Sequence, residues 1–149
     1  MTPKEFQIHL QNLSREVQQF MDRDGPEIAA NIAVEKFKEN FEQEGFFGKK
    51  WKEVQRRTPG TKANKYLSKK HPADTQRKIL AGRTGNLRNS INYRTEPGKA
   101  IVFSDTAYGK YHNKGDGKIP KRQFIGENQQ LTDHIGKELE KRINKMFNG

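Results

Sequence analysis

At 149 residues with 31% hydrophobic and 32% charged positions, the chain has the length for one domain and a small core, and its lack of cysteine excludes disulfides and thiolate chemistry. No apolar run approaches the roughly 18 residues of a membrane span, and the first residues lack the apolar stretch of a secretory signal. We therefore expect a soluble protein made in a cytoplasm, with no membrane partner. The net charge of +11 is unevenly placed: residues 48–94 hold fourteen Lys and Arg against Glu53 and Asp74, a net of +12, and the remainder nets −1. Such localised basicity calls for a localised anionic partner.

In chain order, Thr2 and Glu5 have capping-box spacing around Pro3, and Phe6, Leu10, Leu13, Val17 and Phe20 follow as one helical apolar stripe. "DRDGPE" should break this helix, with Pro26 starting a second whose stripe is Ile28, Ile32, Phe37 and Phe41 and whose stop is Gly45. Residues 46–84 carry apolar groups only sparsely and read as one extended basic arm, partly mobile in the free subunit and ordered on a partner. Its candidate anion-facing residues are Lys49, Lys50, Lys52, Arg56, Arg57, Lys62, Lys65, Lys69 and Lys70. Thr84 reads as a helix N-cap, and Leu80, Leu87 and Ile91 as a core motif. Ile91–Arg94 and Ala100–Phe103 flank "EPGK" as a hairpin. Ser104 and Asp105 should cap a short helix carrying Tyr108, Tyr111 and His112, with Gly115 and Gly117 in a tight turn after it. Leu131, Ile135, Leu139, Ile143 and Phe147 mark a terminal helix. The expected fold is α+β: one domain over 1–149, with a small antiparallel sheet packed against N- and C-terminal helices and a long basic loop over 46–84.

No catalytic constellation emerges. His112 in "HNK" suggests a nuclease, but His9, His71 and His134 have no ligand spacing with it, so we expect no metal. "GKYHNKGDGK" lacks phosphate-loop spacing, and Ser90 lies outside a nucleophile elbow, so we expect no cofactor and no enzyme. Binding to a nucleic-acid backbone stays open, because clustered Lys and Arg are sufficient for it.

Four segments occur in a distinctive order: "NFEQEGFFGKKW" (40–51), "ILAGRTGNLRNSI" (79–91), "AYGKYHNKG" (107–115) and "IPKRQFIG" (119–126). This series resembles the phage virion morphogenesis family, the tail completion proteins of Mu-like tailed phages and prophages. Gly109 departs from the alanine usual after Tyr108, and Lys121 and Gln123 from the residues usual around Arg122. The resemblance implies a non-enzymatic structural protein of the head–tail joint or tail end, assembled into virions in the bacterial host cytoplasm. It also implies a homo-oligomeric ring, a hexamer first among the options, against connector, neck or tail-terminator proteins. The alternative is a small DNA-binding protein using residues 48–94. Interface candidates are Trp51, Tyr108, Tyr111, His112, Arg122 and Phe124, with the acidic Glu35, Glu39, Glu42 and Glu44 of the second helix as the surface they would meet on a neighbour.

Overall fold

In a computed structural model, which describes residues 1–148, the chain has an α+β fold with helices at both ends and two small two-stranded sheets. It divides into two compact units. The first comprises residues 1–34, 93–102 and 127–149, the second residues 35–92 and 103–126.

In the first unit, helix α1 (Pro3–Gln19) starts as its sequence dictates. The Thr2 hydroxyl accepts the Glu5 N–H, and the Glu5 carboxylate accepts the Thr2 N–H. The expected break at "DRDGPE" is replaced by a π-helical turn, Phe20–Asp24, leading directly into α2 (Gly25–Gln43). Pro26 is the cause: it has no N–H for the Asp22 carbonyl and its ring crowds that carbonyl, so the helix widens instead of stopping. Gly25 donates to the Phe20 carbonyl in π register, and Asp22 O accepts the Gly98 N–H at 3.2 Å. That donor comes from the turn of a hairpin formed by residues 91–104, where Gly98 adopts φ +70°. Tyr93 of the same hairpin donates its hydroxyl to Glu27 at 2.5 Å. The terminal helix (Gln129–Asn148) is capped by Asn128, whose side chain accepts the Leu131 N–H at 3.2 Å.

Burial in this unit is shallow. Phe20, Ala30, Ala33 and Leu131 are interior, but α1 buries no residue, and Phe6, Leu10 and Phe147 are about half exposed. The expected α1 stripe is therefore an open apolar surface, with Leu10, Leu13, Val17, Met21 and Phe147 around a shallow depression.

The second unit begins as α2 ends. Its left-handed end residue is Glu44 (φ +52°), not Gly45. Gly45 is needed for another reason: a Cβ there would lie 2.6 Å from the Lys49 carbonyl oxygen. Strands β1 (Gly45–Phe46) and β2 (Lys49–Lys50) pair antiparallel across Phe47 and Gly48, both at positive φ, the combination of a type I′ hairpin turn. A 3₁₀ turn (Gln55–Arg57), helix α3 (Lys62–Lys70, capped by Thr61) and a second 3₁₀ turn (Pro72–Gln76) follow. The segment from 46 to 84 thus holds most of the β1–β2 hairpin and then a series of short helical pieces rather than one extended arm. Helix α4 (Asn86–Asn89) starts after Gly85 at φ +67°, one residue later than Thr84 would place it. Strands β3 (Ile91–Glu96) and β4 (Lys99–Ser104) form the expected hairpin, each longer than its sequence run, and α5 (Gly109–Lys114) is the expected short helix. The terminal helix, Gln129–Asn148, is α6. The interior of the second unit is Phe37, Phe41, Trp51, Ile79, Leu87, Ile91 and Phe124. Leu87 and Ile91 are buried as expected, whereas Leu80 is half-exposed in a left-handed conformation and Ile79 is the buried neighbour.

Candidate functional site

Residues 119–126 contain no helix or strand, so their backbone groups need partners from elsewhere. Side chains of the other segments supply them. The Trp51 indole N–H donates to the Gln123 carbonyl at 2.8 Å, and Asn40 Nδ2 donates to the Phe124 carbonyl at 3.1 Å. Asn113 Oδ1 accepts the N–H groups of Phe124 and Ile125 at 2.8 and 3.0 Å, while its Nδ2 donates to Ile125 O at 3.0 Å. Arg122 reaches back, donating from Nε to the Lys52 carbonyl at 3.0 Å and from Nη2 to the Glu53 carbonyl at 3.4 Å. The Phe41 ring packs edge-on to Trp51 and tilted on Phe124, with centroids 5.5 and 5.2 Å away.

These contacts correct three interface assignments. Trp51, Arg122 and Phe124 are 8%, 8% and 1% exposed, so they hold the second unit together from inside and present nothing to a neighbour. An aromatic beside unpaired carbonyls is more valuable buried than exposed, since burial removes apolar area from water and satisfies the carbonyl together. Pattern reading passed over Asn40 and Asn113, and Asn113 contributes the most side-chain hydrogen bonds to this cluster. Their only sequence signal is an amide within a helix, where it is otherwise unfavourable.

Tyr108, Tyr111 and His112 lie on and beside α5. The two tyrosines are about 40% exposed. Asn86 Nδ2 donates to the Tyr108 hydroxyl at 2.6 Å, and the Lys110 ammonium lies 5.1 Å from the Tyr111 ring centre. With Phe103, Ala107 and Ile125 they line an open, mostly apolar hollow of about 660 Å³. His112 is half-buried against Tyr108, and burial, then the Arg122 charge, lowers its pKa. Among the described residues no group of three or more His, Asp or Glu is placed to hold a metal ion.

The start of α5 explains the departure at Gly109. A Cβ there would lie 2.7 Å from Ser104 Oγ and 2.8 Å from Thr106 Oγ1. Those hydroxyls are engaged: Ser104 bonds Ser90 and Thr106, and Thr106 Oγ1 accepts the Gly109 N–H at 3.0 Å. The N-cap position is Tyr108, without a side-chain capping bond, and the expected capping by Ser104 and Asp105 is replaced by the Thr106 hydroxyl bonding the Gly109 N–H.

Within residues 49–70 the basic side chains divide by residue type. Arg56 Nη2 donates to the carbonyls of Arg77 and Lys78 at 2.7 and 2.8 Å, and Arg57 pairs with Glu44 and Glu53 at 2.8 and 2.9 Å. These arginines are struts. Burial pushes the Glu44 pKa up, but the Ile79 N–H and the Arg57 guanidinium together pull it below its ordinary value. Glu44 and Glu42, the latter paired with Lys78 and Arg88, are thus committed within their own chain, which corrects their assignment to a neighbour's basic face. Lysines face outward. Lys49, Lys50 and Lys52 are exposed, and Lys62, Lys65, Lys69 and Lys70 share one exposed face of α3 around Tyr66, itself 61% exposed.

No protein-family model matches the chain, and neither a curated protein nor a solved structure matches it. No helix among the described residues is long and apolar enough to cross a membrane.

Proposed function

We propose that the chain is a non-enzymatic structural protein of phage virion assembly, a tail-completion or neck component acting at the head–tail joint or tail end. The observation that carries the reading is the ordered series of four segments, of which the first, third and fourth bond one another: Trp51 bonds Gln123, Asn40 bonds Phe124, and Asn113 bonds Phe124 and Ile125. Residues that interlock in this way are doing the work of a scaffold, which fits an assembly part. Two apolar surfaces remain for subunits of a ring and for connector or tail-terminator partners: the hollow beside Tyr108 and Tyr111, and the open stripe of α1. The test is deletion of the gene from a lysogen that carries it. After induction, separate heads and tails should accumulate, and purified protein added to the lysate should join them. Intact infectious particles from the deletion strain would refute the reading.

A second reading, a small DNA-binding protein, is favoured by one observation: the lysine face of α3, where Lys62, Lys65, Lys69 and Lys70 form no ion pair within 4 Å among the described residues. Duplex affinity would then fall with salt by a log–log slope of roughly −0.9 per phosphate contacted. Replacing those four lysines by glutamine should flatten the slope. Binding without salt dependence would count against this reading.

A further inference from the structure

Beside α5 the second unit has a half-open pocket of about 340 Å³ whose lining includes Arg56, Arg77, Arg122 and His112. Three guanidinium groups around one small space repel one another. Arg56 and Arg122 spend their hydrogen bonds on backbone carbonyls, and neither lies within 4 Å of a carboxylate among the described residues. Arg77 alone has an acid, Asp74, which it shares with Arg83. The Nε atoms of Arg56 and Arg77 and the Nδ1 atom of His112 are buried without a hydrogen-bond partner. Buried donors and charges left unpaired are unfavourable, and a chain tolerates them where a ligand completes the arrangement.

We propose that this pocket binds a small oxyanion carrying at least two negative charges, a phosphate or a polycarboxylate. The planar guanidinium fork matches oxyanion geometry, whereas a halide offers no paired acceptors. Thr84 and Tyr108 add hydroxyls at the same wall, so a ligand larger than the bare ion also finds polar contacts. The volume sits at the lower end of small-molecule sites, which fits a compact anion and not a nucleic-acid strand. The electrostatics agree in direction: the pKa of Arg56 is lowered by burial and then by the charges of Arg77, Arg57 and Arg122, with Glu44 opposing more weakly; that of Arg122 is lowered by burial against Glu53, and that of His112 by burial and Arg122. The proposal stands apart from the virion reading and from the lysine face of α3.

The test titrates the full chain with inorganic phosphate and, separately, citrate, at ionic strength held constant with sodium chloride. The imidazole resonances of His112 are followed by NMR. A saturable shift is expected from at least one anion and none from chloride. Phosphate binding more tightly than citrate assigns a phosphoryl ligand, and the reverse a carboxylate one. Arg77→Gln should weaken the apparent Kd by roughly tenfold, while glutamine at Lys62, Lys65, Lys69 and Lys70 should leave it unchanged. If Arg77→Gln fails to fold, the wild-type titration decides alone. A His112 response that is linear, that chloride reproduces, or that vanishes only in the lysine variant overturns the proposal.

Discussion

Replacing Trp51 tests the interior cluster directly. The indole is 8% exposed, meets Phe41 edge-on at 5.5 Å and donates to the Gln123 carbonyl at 2.8 Å. Trp51→Ala removes the ring from a packed site, a change of about 3–5 kcal/mol, and leaves the Gln123 carbonyl without its donor. Trp51→Phe keeps most of the packing and loses the donor, so it should cost about 1–3 kcal/mol. The assay is urea denaturation followed by far-ultraviolet circular dichroism, which does not depend on the residue removed. With a slope of roughly 1–3 kcal/mol per molar urea, the alanine variant should lower the midpoint by about 2 M and the phenylalanine variant by about half that. As the single tryptophan of the chain, Trp51 also reports its own surroundings, and native emission should be that of a shielded indole. A midpoint unchanged by Trp51→Ala, with emission of a solvated indole, would refute the interior placement and return Trp51 to the surface.

Gly109→Ala should destabilise by about 1–3 kcal/mol, because its methyl group meets two engaged hydroxyls; an unchanged melting temperature would mean that the start of α5 yields freely. Gly98→Ala places a side chain at φ +70° and should cost about 1 kcal/mol in the same urea assay. Acid should act in two windows. The folded pKa of His112 lies below its ordinary 6.5, so the unfolded chain binds the proton first, and stability is lost as pH falls from about 6.5 through the folded value. Glu44, also depressed, gives stability that is full above its ordinary 4.5 and lost as pH falls further. His112→Gln should abolish the upper window and leave the lower one, as read from melting temperature against pH.

Legibility followed periodicity. The capping box of Thr2 and Glu5, the hairpin around Pro97–Gly98 and the stripe of α6 each carry a local signal, and each forms as expected. Helix α3 carries only Ala63, Tyr66 and Leu67 as apolar groups, too few for a clear period, although Thr61 marks its start. The π turn was hidden because Pro26 reads equally as a helix breaker or as a residue a widened helix can hold. Trp51, Arg122 and Phe124 lie outside regular elements, so no pattern told their inside from their outside. Arg56 and Arg57 read as arm charges because the carbonyls of Arg77 and Lys78 and the carboxylate of Glu44 become their neighbours only after folding.

The division between inward arginines and outward lysines has a chemical consequence. Reagents that acylate or reductively methylate amines meet Lys49, Lys52, Lys62, Lys65, Lys69 and Lys70 at the surface, while Arg56, Arg57 and Arg122 have no amine to offer. Acylation can therefore strip the positive field from the chain without loosening the struts beneath it, whereas methylation keeps the charge and alters only the hydration of each ammonium. A protein built this way carries its charge as a removable coat, so that field and fold can be altered one at a time.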